Sequence, residues 1–352
     1  MRGDGAGAAF AFARSRGVEA LVLALVARHA CETLLYWGFG SLRPSDLFVR
    51  FDPPAVAERL RFGISMGLQS MLGTAMRQGD RLLVGILAGP VASSLYNQIQ
   101  NVVVQPFSKL SVHVARAAFP TFAKAKDDPD RLLRGLVKMQ RMLALCIFPT
   151  LAGIAAVAPR LLHVLLGDEY TPHLAVAVPA LQLLCIGTLV FNYGYASGVA
   201  LNAIGLSRPM LSRQAIGGIA VAVLIVAGAP WGLLGMSMGR ALASVVIACL
   251  FLDLARRRMG LSVPLMRESV REALPASLAC FILAAGVGVL ADHVLPASSG
   301  MVAPEVRSLL LFWSVLLVQV AVGVSAYVGT LILAGIRPLA EIRNVFPSLA
   351  GR

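Results

Sequence analysis

Charge is scarce in this 352-residue chain: only 14% of residues are Asp, Glu, Lys or Arg, against about 25% in a soluble domain. Acids are scarcer still, 18 against 31 bases, for a net charge of +13. Aromatics make up 7%. There is no P-loop, no pair of catalytic carboxylates in a polar domain, and no His/Cys cluster at metal-ligand spacing. Soluble-enzyme chemistry is therefore excluded, and no cofactor or metal is implied. The five cysteines (Cys31, Cys146, Cys185, Cys249, Cys280) all fall in apolar segments and pair into no disulfide framework; they read as small core residues. Residues 1–16 do not read as a signal peptide, since no small-residue cleavage site follows the first apolar run.

What is present is apolar: 57% hydrophobic residues and a mean hydropathy of +0.76, in blocks of about 20, the length that spans a bilayer. The blocks predict an all-α, polytopic membrane helix bundle with nine spans, at 17–38, 63–89, 92–118, 140–159, 174–201, 210–229, 231–253, 273–293 and 308–335. The connections alternate in charge. Twenty Lys and Arg fall in one alternating set and two in the other, and basic loops stay cytoplasmic. The excess of bases therefore points to topology rather than to nucleic acid, and it predicts a cytoplasmic C-terminus. The same count leaves Arg2, Arg14 and Arg16 on the outer side. Either residues 1–16 are not a native flank, or the chain begins part-way through a larger protein.

The third span carries Asn97, Asn101, Gln105, Lys109, His113 and Arg116 at steps of 4, 4, 4, 4 and 3, which makes a polar stripe on a helix. A charge at the bilayer centre costs about 2.5–3.5 kcal/mol on insertion scales, so the stripe is predicted to face a bundle interior or a wet cavity. Further charges lie inside spans. Arg28 and Glu32 share a face at i, i+4, as do Arg77, Asp80 and Arg81 at i, i+3, i+4. Asp80 can neutralise one arginine of its own helix, Arg81 first. Arg240 adds another base. The cationic excess reads as an anion site, in which guanidinium forks grip phosphate and a lysine adds a point charge; internal salt bridges and snorkelling are the alternatives. The candidate cavity residues are Arg77, Asp80, Arg81, Asn97, Asn101, Gln105, Lys109, His113, Arg116 and Arg240, with Asn192, Tyr193 and Tyr195 as further hydrogen-bonding groups.

Other features are structural. Pro106 is predicted to interrupt the third span. The run from Pro129 to Arg141 reads as an amphipathic cytoplasmic linker whose Leu132, Leu133, Leu136 and Met139 lie along the headgroups. Gly232 and Gly235 read as helix-packing sites, and Trp231 as an interfacial anchor.

One set of residues carries a family resemblance by its order and spacing. It runs through Arg61-Phe62-Gly63, then Gly79-Asp80-Arg81-Leu82-Leu83-Val84-Gly85, Leu95-Tyr96-Asn97 and Gln105-Pro106. It continues with Phe119-Pro120-Thr121-Phe122 and Asp127-Asp128-Pro129-Asp130, and ends with Leu165-Leu166-Gly167-Asp168-Glu169-Tyr170 and Leu181-Gln182-Leu183-Leu184-Cys185. Over residues 20–255 the chain resembles the Wzx-type lipopolysaccharide and exopolysaccharide flippases of the multidrug/oligosaccharidyl-lipid/polysaccharide exporter (MOP) superfamily. That resemblance implies two six-helix lobes around a central cavity, followed by a helix pair. On this pattern residues 1–50 hold the last N-lobe helix, 51–258 a six-helix C-lobe, and 259–352 the extra pair and a cytoplasmic tail, with about five N-lobe helices not in the chain. It further implies flipping of undecaprenyl-diphosphate-linked oligosaccharide across the bacterial inner membrane. The implied partners are that lipid-linked glycan, membrane lipids, other glycan-assembly proteins and a chain supplying the remaining N-lobe helices. The competing readings are a cation-coupled drug exporter, a membrane-embedded glycan polymerase or ligase, and an inactive fragment. The exporter would need an unpaired intramembrane acid, and the enzyme a large periplasmic loop.

Overall fold

The computed structural model describes residues 26–35, 53–166, 172–294 and 304–333. The chain divides into two compact units, Met1–Leu60 and Arg61–Arg352. In the first, helix α1 (26–35) holds the Arg28–Glu32 pair at 2.9 Å on an exposed face. Arg2, Arg14, Arg16, most of the span at 17–38, residues 167–171 and the C-terminal tail lie outside the described residues.

All regular structure among the described residues is helical. In chain order the helices are α2 (Pro53–Val103), α3 (Gln105–Lys124), α4 (Pro129–Ala156), α5 (Ala158–Leu166), α6 (Leu174–Ala203), α7 (Ser207–Gly228), α8 (Gly232–Met259), α9 (Val263–Val270), α10 (Ala273–Val294) and α11 (Pro304–Leu333). Among the described residues, six segments are long and apolar enough to cross a membrane. Two of them, Met66–Lys124 with 59 residues and Ser207–Met259 with 53, far exceed the ~20 residues that one crossing needs.

Each long segment is broken by a local backbone device. In α2, Gly89 takes φ 82°, a conformation open to glycine, and Pro90 starts the next arm. This separates a first arm ending at Ala88 from a second arm starting at Pro90, at the boundary predicted between the spans at 63–89 and 92–118. Between α7 and α8 a 3₁₀ turn, Ala229–Trp231, leads into Gly232 at φ 61°. Gly232 thus serves a turn, where it had been expected to pack helices. Gly235 does pack: a Cβ there would fall well inside contact distance of the Gly228 carbonyl oxygen. Trp231 stands at the start of α8 with 71% of its surface exposed, as expected of an interfacial anchor.

The core forms around α6, which packs against α3, α4, α5 and α8, while α8 also packs on α7. Small residues allow these approaches, as is common where there is little hydrophobic gain between helices in lipid. A Cβ on Gly187 or Gly194 would stand 2.9 Å or 2.7 Å from the α8 backbone at Ala241 or Ala248. The opposite faces expose large apolar side chains such as Ile86, Ile219, Leu290 and Leu317. That arrangement suits a lipid solvent. The helix pair α10–α11 packs on α4, where the Tyr327 hydroxyl donates to the Leu145 carbonyl at 2.6 Å.

Two further sequence expectations fail here. The run Pro129–Arg141 is no surface linker. Asp128 caps it by accepting from the Arg131 amide at 3.0 Å, and it continues unbroken into α4. Leu132, Leu136 and Met139 are buried in the core, with Leu133 partly buried against it. Periodicity alone cannot tell a helix facing headgroups from one facing its neighbours. The cysteines also divide: Cys185 and Cys280 are buried, but Cys31 and Cys249 are exposed.

Candidate functional site

The first arm of α2, together with α3, α6, α7 and α8, encloses a cavity of about 480 Å³. Its wall is largely apolar, with Val104, Phe191 and Phe251 among the lining residues. Two guanidiniums, Arg116 of α3 and Arg240 of α8, reach it, with Ser108, Thr188, Tyr195 and Ser244. Such a lining, with few polar groups on an apolar surface, is the usual form of a ligand pocket.

One end of the cavity carries a cluster of uncharged amides. Gln69, 7% exposed, donates from Nε2 to the Ser207 carbonyl at 2.9 Å and accepts from Asn202 Nδ2 at 3.1 Å. Gln214 Nε2 donates to the Gln69 carbonyl at 2.9 Å. These bonds clasp the first arm of α2 to the end of α6 and the start of α7. Sequence reasoning passed over Gln69, Asn202 and Gln214 because it weighed charges. The signal was there: glutamines inside the spans at 63–89 and 210–229 are polar groups at membrane depth.

A second network crosses the Gly89–Pro90 bend. Asp80, 2% exposed, accepts at Oδ2 from Arg240 Nε at 3.1 Å and from Gln100 Nε2 at 2.9 Å. Arg240 Nη1 also donates to Ser244 Oγ at 2.7 Å. Arg81 does not neutralise Asp80, contrary to expectation. It turns to the amides instead, with Nε 3.5 Å from Gln100 Oε1 and Nη2 3.2 Å from Asn101 Oδ1. Gln105 Nε2 meets the same Asn101 oxygen at 3.3 Å. Arg240 therefore does not belong to an unpaired cationic excess; its partner lies 160 positions away. The Asn97 side-chain oxygen Oδ1 and the Tyr96 hydroxyl are buried in this region without a hydrogen bond to any described residue.

The predicted stripe is thus divided. The helix is interrupted at Val104, with Pro106 in the first turn of α3. Asn101 and Gln105 join the Arg81 network. Lys109, His113 and Arg116 are exposed, and of these Arg116 alone lines the cavity. Arg77 lies on the first arm of α2, but its side chain is outside the described residues. Of the further candidates, Tyr195 lines the cavity. Asn192 is buried, accepting from Ser111 Oγ at 2.6 Å and donating to the Thr188 carbonyl at 2.7 Å. Tyr193 points away and braces α9 through Met266 and Ser269. No group of His, Cys, Asp or Glu suited to a metal occurs among the described residues.

Comparison with known proteins agrees with this architecture. Residues 5–175 match the polysaccharide biosynthesis protein family. The chain is 26% identical over 230 residues to the lipopolysaccharide biosynthesis protein WzxC of Escherichia coli (strain K12), covering 64% of this chain and 45% of that protein. It is 31% identical over 172 residues to the teichuronic acid biosynthesis protein TuaB of Bacillus subtilis (strain 168), covering 48% of this chain and 34% of the relative. The chain spans less than half the length of these curated relatives. Among solved structures, the lipid II flippase MurJ in an inward closed conformation shares the fold, with a TM-score of 0.50 and 11% identity over 77% of this chain and 52% of that one. The chain is a multi-pass membrane protein that is similar, over part of its length, to Wzx-type polysaccharide biosynthesis proteins.

Proposed function

We propose that this relative of the Wzx-type exporters takes part in moving undecaprenyl-diphosphate-linked oligosaccharide across the bacterial inner membrane. The observation that carries the reading is the cavity with two guanidiniums, Arg116 and Arg240, walled by spanning helices. An arginine fork matches phosphate oxygens in pairs, and a low-dielectric wall strengthens the attraction. Gln69, Asn202 and Gln214 supply donors and acceptors suited to sugar hydroxyls. A cavity of about 480 Å³ accommodates only part of such an amphiphile. The polyprenyl tail stays in lipid, and the remaining glycan lies along the exposed Asn101, Lys109 and His113 face. That face cannot rest against lipid, because a central charge would cost about 2.5–3.5 kcal/mol there. It is a wet surface, one wall of the central cleft between the two lobes.

On this reading residues 51–258 form the C-lobe, 259–352 the appended helix pair and tail, and the C-terminus is cytoplasmic. The lobes rock about the site to expose it to either leaflet, and the gradient or downstream consumption that drives transport acts through that motion. The bend at Gly89–Pro90 and the break at Val104 are the backbone points that can absorb it. A drug exporter is the weaker alternative, because Asp80, the one buried acid at the site among the described residues, is held by a guanidinium.

The test is glycan export in cells that carry the gene with Arg116→Gln, Arg240→Gln or Lys109→Ala. Expected is normal insertion, lost surface glycan and accumulation of lipid-linked glycan on the cytoplasmic side. Normal export from all three would refute the anion site.

A further inference from the structure

The cavity meets Arg240 on one side and Asp80 meets it on the other. Arg240 presents Nε to Asp80 Oδ2 and spends an Nη1 proton on Ser244, and both Arg240 and Ser244 line the cavity. The side chains of the pair are 13% and 1% exposed. A guanidinium has five N–H donors, so the Asp80 and Ser244 bonds leave its remaining edge for another acceptor. Two unopposed guanidiniums in an apolar cavity would hold a diphosphate tightly. A transporter needs the opposite at the end of each cycle, since a site must be weak enough to release what it admits.

We propose that Asp80 is a resident competitor for the substrate's phosphate: it shares Arg240 with the bound anion, and so sets how tightly the diphosphate is held. The inference rests on the diphosphate reading of the cavity. Seen from the cavity, the carboxylate cancels most of the Arg240 charge. An anion on the free Arg240 edge sits across the guanidinium from the carboxylate, and at an effective dielectric of about 20 removing that negative charge strengthens anion binding about tenfold or more.

The same pair reports occupancy to the rest of the fold. Asp80 belongs to the first arm of α2, and Gln100, which shares Asp80 Oδ2, belongs to the second. From there the hydrogen bonds run through Arg81 to Asn101 and on to Gln105 of α3. An anion that draws Arg240 toward the cavity weakens the tie holding the first arm of α2 to α8. Filling the cavity therefore loosens an arm of its own wall, which couples binding to the opening motion through one bistable contact.

The experiment uses the purified full chain in lipid nanodiscs, with inorganic pyrophosphate as the probe in calorimetric titration. Asp80→Asn is expected to bind at least tenfold tighter than wild type and Arg240→Gln at least tenfold weaker. The double variant should bind no better than Arg240→Gln alone. A folded Asp80→Asn, with wild-type elution and melting, that binds equally or more weakly overturns the inference and leaves the diphosphate reading standing. If wild type and Asp80→Asn both ignore pyrophosphate, the inference falls together with that reading. Should Asp80→Asn fail to fold, infrared difference spectra of wild type decide. Pyrophosphate is expected to shift a buried carboxylate stretch, a shift that is lost in Arg240→Gln. An unchanged carboxylate band in wild type overturns the proposal.

Discussion

Replacing Gln69 with leucine tests whether the amide clasp holds the first arm of α2 in place. The substitution keeps the approximate volume and removes two good hydrogen bonds, to the Ser207 carbonyl at 2.9 Å and from Asn202 at 3.1 Å. The bond from Gln214 to the Gln69 main chain stays. Side-chain hydrogen bonds between membrane helices average about 0.6 kcal/mol and reach about 1.7. Two of them therefore contribute about 1–3 kcal/mol, which shifts the ratio of clasped to unclasped arms by about 5- to 150-fold. The assay is pulsed electron–electron distance measurement in nanodiscs. Spin labels replace the exposed Leu68 and Ile216 in a background free of the five native cysteines. Gln69→Leu should add or enlarge a longer-distance population. The control Gln78→Leu, on an exposed face of the same arm, should leave the distribution unchanged. Identical distributions in wild type and Gln69→Leu would refute the reasoning, because the arm would then be held by apolar packing alone.

Three further outcomes are expected. Gly194→Ala, whose Cβ would stand 2.7 Å from the Ala248 backbone, should destabilise the α6–α8 packing by about 1–3 kcal/mol, whereas Gly286→Ala, with nothing within 4 Å, should be neutral or better in the same melting assay. Gln319, 1% exposed, joins Arg160 Nη1 at 3.0 Å to the Ala284 carbonyl at 3.0 Å. Gln319→Leu leaves buried groups without that partner and should cost about 1–3 kcal/mol, seen as earlier melting of the corner where α5 meets α10 and α11. Arg116→Lys keeps the charge but loses the planar fork, so export assays should place it between wild type and Arg116→Gln; full activity in Arg116→Lys would show that a point charge suffices.

Membrane depth makes some properties readable one segment at a time. A span must be about 20 residues long, apolar and helical because lipid satisfies no backbone group, and each of these demands falls on neighbouring residues. The predicted boundary between the second and third spans coincides with the bend at Gly89–Pro90, and the turn before α8 falls where the apolar runs separate. The order of short motifs was also enough to suggest the exporter family before any fold was known. The candidate site was only partly legible. Spacing on one helix placed Asp80 beside Arg81, and spacing at Pro129–Arg141 showed an amphipathic face without saying what covers it.

The sequence by itself determined that this chain is a helical membrane protein and where most of its spans lie, because the bilayer acts on each segment separately. Only the tertiary structure decided which polar groups meet. Asp80 finds Arg240 at a separation of 160 positions and Gln69 finds Asn202 at 133. Such pairs depend on how closely α2, α6, α7 and α8 approach one another. That approach is set by small residues and side-chain volumes on four separate helices, and no local pattern in any one of them encodes it.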